Sequence, residues 1–365
     1  MATIPTCAEE FTLDWFNEVL KDRLQGASVT RAEVTDSQTP GQTSEIAVID
    51  LAYDAADAPV PTRLIGKYAS KLPIVIEQVA KVYGLYWRET SRYLDIPEVG
   101  LPSPTCYYSD FDPGTQAFVI LMNDLSPATS PSWASTPEQV AEAVSHLPAF
   151  HARWWNDEFL RSKDWLVQYD NRDFFAASSG AAYAAIPRLR ELFGEHGEHT
   201  ASVLEPWCTR QDDMAAYFSA KPFTYVHGDY HPKQMFFASE RGGEFGIIDW
   251  QFSFVAQGAW DLARIIALGQ DVESRRATER ALIEGYHAGL LRHGVKDYSL
   301  GDLEDDFRVG LVVNQQIMAI ALVDTDIGLI EKECAGLGLD WKDVMIQRGE
   351  AAVRDWDVLD FVNSI

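Results

Sequence analysis

Residues 225–251, YVHGDYHPKQMFFASERGGEFGIIDWQ, hold an unusual density of side chains able to do chemistry. Asp229 follows His227 by two positions and precedes Gln234 by five. Asp249 ends a second apolar run, 245–248. Glu240-Arg241-Gly242-Gly243 is a turn signal between that run and the apolar run 235–237, so a hairpin is expected. A hairpin returns the chain to its start, which predicts that Asp229, Gln234 and Asp249 converge on one small volume. Phosphoryl transfer from a nucleotide has a use for such a set. It needs a carboxylate that receives the proton of an acceptor hydroxyl, and oxygen ligands that hold a hard divalent cation against the phosphates.

The spacing from Asp229 to Gln234 is that of the protein-kinase catalytic loop H-R-D-x-x-x-x-N, with Gln in place of Asn. HGDYHPKQ followed by IIDWQ resembles the aminoglycoside phosphotransferase and choline kinase-like superfamily, and most closely its ecdysteroid kinase-like branch. The resemblance implies an α+β, protein kinase-like bilobal fold. A small N-terminal lobe with an antiparallel sheet would span residues 1–123 and bind the nucleotide. A larger, mainly helical C-terminal lobe, 124–365, would carry the catalytic loop and the substrate pocket. ATP and Mg²⁺ are the implied cofactors, and a small-molecule alcohol is the implied partner. Asp229 would accept or orient the hydroxyl proton, and His227 would hold the loop in shape. Asp249 and Gln234 would supply oxygens to the metal. Gln is one methylene longer than Asn, and Mg²⁺ demands near-octahedral geometry at short distances. A catalytically impaired nucleotide-binding protein is therefore one alternative. Another is a metal-dependent hydrolase built on His227, His231 and Asp249. Gly228 and Pro232 argue against the helix that would align those two histidines.

The elements around this stretch fit the same frame. Residues 12–24 read as an amphipathic helix stopped by Gly26. Strands are expected at 29–34 and 46–53, joined by a loop containing Pro40-Gly41-Gln42-Thr43-Ser44. In a kinase-like lobe that loop, with Ser44, would cover the phosphates; it also reads as an ordinary hairpin loop. Lys67 lies on a short strand, RLIGKY. The resemblance makes it the lysine that meets the α- and β-phosphates; otherwise it is a solvent-facing lysine at a strand end. Residues 72–94 form a long helical pattern. It should hold a glutamate that orients Lys67, and Glu77 and Glu89 are the candidates, although the family's usual place for it aligns with Tyr83. Residues 117–122 read as a buried strand, and the resemblance makes Met122 to Asp124 a hinge whose backbone meets adenine.

Beyond residue 136 the pattern turns helical. HARWW resembles a large-lobe segment of the family, and His151 within it is expected in the core. The GEHGEH segment at 194–199 is expected to be a solvated turn. Asp261 either caps a helix that starts near Trp260 or, as the resemblance implies, supports the catalytic loop from behind.

Composition bounds the rest. The 365 residues include 30 basic and 55 acidic ones, a formal net charge of -25. Such a balance argues against nucleic acid and anionic membrane surfaces as partners. Cys7, Cys106, Cys208 and Cys334 are widely separated, without the C-x-x-C spacing of zinc or redox sites. No signal peptide is recognisable at the start, and no run approaches the roughly 20 apolar residues of a membrane span. A cytoplasmic location is the expectation. The aromatic content suits an apolar alcohol and the acidic balance a cationic one, so the acceptor stays open, as does the oligomeric state.

Overall fold

The structure is a computed structural model. It describes every residue except Met1, 38–42, 126–128, Ser130, 239–241 and 325–326. The loop residues Pro40, Gly41 and Gln42, and Glu240 and Arg241 of the expected turn, lie outside the described residues. The chain divides into two compact units, Met1–Thr129 with Phe236–Phe252, and Ser130–Met235 with Ser253–Ile365.

The first unit is built on a five-stranded antiparallel sheet in the order β1-β2-β3-β5-β4. Its strands are β1 (Val29–Asp36), β2 (Ser44–Tyr53), β3 (Arg63–Ala69), β4 (Cys106–Phe111) and β5 (Phe118–Asn123). The strand Phe118–Asn123 is paired on both sides and apolar throughout its first five residues, all of them buried. β3 pairs with β2 on one side and β5 on the other, which sets Lys67 opposite Ile46 and Ile120. The helix Leu13–Val19 is shorter than the pattern suggested and is capped by the Thr12 hydroxyl, which accepts from the Trp15 N–H. Trp15, Phe16 and Leu20 join Ile49, Leu64 and Tyr68 of the sheet in one core.

The long helix expected over 72–94 is broken at Gly84, whose φ of 63° lies in the left-handed region that glycine enters without a Cβ penalty. A new segment, Leu85–Asp95, starts there and carries Glu89 on its buried face.

The second unit is mainly helical. Its principal helices are Pro137–Arg153, Arg172–Phe193, Glu195–Thr209, Ala259–Leu268, Val272–Arg292 and Leu300–Asp324. Thr136 and Gln139 close a reciprocal capping box at the start of the first. The Ala259–Leu268 helix is buried at all 10 of its residues. Gly310 lets the Leu300–Asp324 helix approach it closely, because a Cβ there would stand 2.7 Å from the Ala259 carbonyl oxygen. A short antiparallel pair, β6 (Thr224–Val226) with Phe254–Ala256 as its partner, leads into the 227–234 loop. The expected hairpin is present but short. Strand β7 (Met235–Phe236) pairs with β8 (Gly246–Ile247), and the chain passes from the second unit to the first within β7. We number Phe254–Ala256 as β9.

The segment 194–199 is helical, not a turn. His196 and His199 lie one turn apart on the Glu195–Thr209 helix, with ring nitrogens 3.0 and 2.9 Å from the carboxylate of Glu350. A buried acid that needs partners explains why that polar segment turns inward. No single helix among the described residues is long and apolar enough to cross a membrane.

Candidate active site

The first unit gathers Lys67, Glu89 and Asp249. Lys67 Nζ lies 2.7 Å from Glu89 Oε2 and 2.7 Å from Asp249 Oδ1. Burial pushes the Lys67 ammonium down, but the Asp249 and Glu89 carboxylates outweigh it and hold its pKa above the ordinary lysine value. Glu89 is raised by its burial, against the pull of Lys67. Of the two candidate glutamates, Glu89 is the one that touches Lys67, whereas Glu77 pairs with Lys81 at 2.8 Å on an exposed helical face. Asp249 has a φ of 69°, a left-handed conformation that is uncommon for a residue with a side chain. Gln251 Nε2 donates to its Oδ2 at 3.3 Å and so steadies the second carboxylate oxygen. Gln251 Oε1 accepts from the Thr43 hydroxyl at 2.9 Å, which ties the Asp249 turn to the start of β2.

Other residues singled out in this unit have plainer settings. Ser44 begins β2 and is buried. Met122 is buried on β5 between Ile65 and Cys106. Asp124 accepts from Arg63 Nε at 2.8 Å.

The second unit gathers His227, Asp229, Gln234 and Asp261. Asp261 does not occupy the N-cap, which is Gly258. Its carboxylate accepts from the backbone N–H of His227 at 2.7 Å and of Gly228 at 2.9 Å. His227 is fully buried, and its Nδ1 accepts from the Asp229 N–H at 3.3 Å. Gln234 Nε2 donates to Asp229 Oδ2 at 2.9 Å. His231 Nε2 lies 3.1 Å from Asp229 Oδ1, with its ring stacked on Trp133 at 4.6 Å. Arg264 Nη2 donates to the same Oδ1. Burial would raise Asp229, but the His231 and Arg264 charges, with the hydrogen bonds of His231 and Gln234, hold it well below the ordinary carboxylate range.

Of the expected trio, then, Asp229 and Gln234 touch within the second unit, while Asp249 sits beside Lys67 in the first. No group of three or more His, Cys, Asp or Glu among the described residues is arranged to hold a metal. The hydrolase built on His227, His231 and Asp249 finds no support.

Sequence reasoning missed Arg264 and the layer behind Asp261. His151 is in the core, as expected. It also has a second duty, with Nε2 at 3.4 Å from Asp261 Oδ2 and Nδ1 at 2.7 Å from the Tyr286 hydroxyl. A usable signal existed for Arg264. It lies three positions after Asp261 in an otherwise apolar helix, and a buried charge needs a partner.

Known proteins resemble this chain in family and in fold. A family model described as the phosphotransferase enzyme family matches residues 98–297. A Ralstonia eutropha JMP134 protein assigned to the aminoglycoside phosphotransferases is 14% identical, with a TM-score of 0.52 over 94% of this chain and 97% of its own. A choline kinase from Cryptosporidium parvum is 11% identical, with a TM-score of 0.52 over 90% of this chain and 89% of its own. At such identities the likeness establishes the kinase-like α+β fold alone. An uncharacterised kinase-like protein of Caenorhabditis elegans is 22% identical over 187 residues, which is 47% of this chain and 45% of that protein. The chain thus spans less than half the length of that curated relative. The family match covers more than half of this chain, and the chain belongs to the phosphotransferase enzyme family.

Proposed function

We propose that the protein transfers the γ-phosphoryl group of ATP, with Mg²⁺, to a hydroxyl of a small molecule. One observation carries the reading: Lys67 is fixed between Glu89 and Asp249 at 2.7 Å from each. Two carboxylates around a buried lysine would be a costly way to gain stability. The cost has a purpose if the ammonium must be held ready for phosphate oxygens.

The donor set suits Mg²⁺. Asp249 would supply a hard oxygen to the metal and Gln234 its amide oxygen, because Mg²⁺ takes few protein ligands when phosphates and water supply the rest. When bound, Mg²⁺ neutralises phosphate charge. Lys67 adds a positive charge for the phosphates, and Asp229 orients the acceptor hydroxyl. The hydroxyl oxygen forms a bond to the γ-phosphorus as the bond from that phosphorus to the leaving oxygen of ADP breaks. The hydroxyl proton departs toward Asp229 and then solvent, giving a phosphate ester and ADP. His227 and Asp261 keep the loop backbone in place during this exchange. Aromatic content suits an apolar alcohol and the acidic balance a cationic one, so the alcohol library includes both. The four cysteines are free, which suits a reducing, ATP-rich compartment, and the cytoplasm is our working location.

The test is thermal melting with ATP, GTP and ADP, each with and without Mg²⁺, followed by phosphorylation of an alcohol library. A ligand of the folded state at a hundred times its dissociation constant adds about 2.7 kcal/mol. A Mg²⁺-dependent shift together with a phosphorylated alcohol is the expected result. Absence of any shift at millimolar nucleotide would defeat the reading.

A further inference from the structure

The Ala259–Leu268 helix holds the catalytic loop at successive points through three side chains. Trp260 Nε1 donates to the Gly228 carbonyl at 3.0 Å. Asp261 accepts from the N–H groups of His227 and Gly228 at 2.7 and 2.9 Å. Arg264, one turn further along, donates from Nη2 to Asp229 Oδ1. Arg264 is itself fixed and buried, with Nη1 donating to Asn314 Oδ1 at 2.9 Å. Asn314 donates in turn to the Gly310 carbonyl at 2.7 Å. The glycine that admits the close helix approach therefore also sets the residue that aims the arginine.

The arrangement has a consequence for Asp229. A carboxylate has about four lone-pair positions. Oδ1 receives Arg264 and faces His231 at 3.1 Å, while Oδ2 receives Gln234 at 2.9 Å. The remaining position is on Oδ2. We propose that Arg264 is a positioning residue for phosphoryl transfer: with His231 it closes Oδ1 of Asp229 and leaves Oδ2 as the edge that meets the acceptor hydroxyl. The inference rests on the reading of Asp229 given above. A staple that served only stability would be a poor use of a buried ion pair, because desolvation of both charges offsets their attraction.

The experiment uses the full chain and measures ADP release from Mg-ATP with water as acceptor. The variants are Arg264→Ala, Arg264→Lys, Asp229→Asn and the double variant Arg264→Ala/Asp229→Asn. Misplacing a reacting group by about 1 Å costs on the order of 100-fold, so Arg264→Ala should lose that factor in kcat with KM for ATP unchanged. Lysine lacks the planar fork and should restore only part of the rate. Guanidinium ion, kept far below denaturing concentration, should restore part of it in Arg264→Ala. In the Asp229→Asn background the Arg264 substitution should cost nothing further. Urea unfolding of the same four variants reports independently whether the two sites are coupled.

An unchanged kcat in folded Arg264→Ala overturns the positioning role, as does an equal loss with and without the Asp229 carboxylate. In either case wild-type turnover leaves the phosphotransferase reading standing. If the wild type neither binds nor turns over Mg-ATP, that reading falls and this inference falls with it. If Arg264→Ala does not fold, Asn314→Ala and Arg264→Lys decide, and full wild-type kcat in both overturns the proposal.

Discussion

Lys67 and Glu89 are 22 positions apart in the chain and 2.7 Å apart in the fold, with Glu89 almost wholly removed from solvent. Removing the lysine leaves the buried Glu89 carboxylate, and the partly exposed Asp249 beside it, without their shared cation. Breaking a buried pair from one side costs about 3–5 kcal/mol. Lys67→Met should therefore lower the urea unfolding free energy by about that much, and should also abolish the nucleotide-induced melting shift. Glu89→Gln should cost less, because Asp249 still faces the ammonium. Equal effects of the two substitutions would show that Asp249 contributes nothing to holding Lys67.

Asp249 and Asp229 should fail differently. Asp249→Asn should reduce the Mg²⁺-dependent part of the melting shift given by ATP. Asp229→Asn should keep that shift and lose turnover, by two orders of magnitude or more if its share matches a typical general-base contribution of ~10²–10⁴. An Asp229→Asn protein with wild-type turnover would remove Asp229 from the chemistry.

The pH dependence of stability follows from the lowered pKa of Asp229. An acid held below its unfolded value favours the folded state when ionised. Its contribution is complete above the unfolded value of about 3.9 and is lost as pH falls through the lower folded value. The wild type should lose stability more steeply on acidification below about pH 4 than Asp229→Asn does. Urea midpoints of the two proteins across that range make the comparison, and parallel curves would contradict the ion-paired setting of Asp229.

Asp261→Ala removes the acceptor of two backbone N–H groups in the loop. Each buried donor left unsatisfied costs about 1–3 kcal/mol. Hydrogen exchange at the amides of His227 and Gly228 should accelerate in this variant relative to the rest of its helix. Unchanged protection would mean that another group holds the loop.

Gly258→Ala tests the layer behind Asp261. An added Cβ would stand 2.4 Å from the Tyr286 hydroxyl and 2.7 Å from His151 Nδ1. Overpacking of this kind typically costs about 1–3 kcal/mol, and the melting temperature should fall accordingly. A neutral substitution would show that Tyr286 and His151 can move apart without penalty.

Much of this arrangement is written in local sequence. The apolar strands of the first unit and the short hairpin before Asp249 have patterns that need no long-range information. The placement of Lys67 on the third strand is equally local, since strand order follows chain order up to that point. Other features depend on distant partners. Gly84 gives no sign in the helical pattern that it will turn left-handed, because an isolated glycine inside such a pattern is tolerated at a cost of about 1 kcal/mol. GEHGEH looks like a solvated turn until Glu350, far along the chain, supplies a buried charge for its two histidines. The Arg264 contact needs both the Ala259–Leu268 helix and the loop to be in place, and periodicity alone reports only that the position is buried.

The allocation of Phe236–Phe252 to the first unit has a bearing on synthesis. Asp249, one of the two acids around Lys67, belongs to that late segment, so the first unit cannot complete its charged centre when residue 129 leaves the ribosome. Until residue 252 has emerged, Lys67 has Glu89 alone, and a fragment ending at residue 129 would remain permanently in that unfinished state. Domains commonly fold as units in order of synthesis. Here the N-terminal unit must wait for a long stretch of its neighbour to be made, which makes chain order itself a timer on when the lysine site can close.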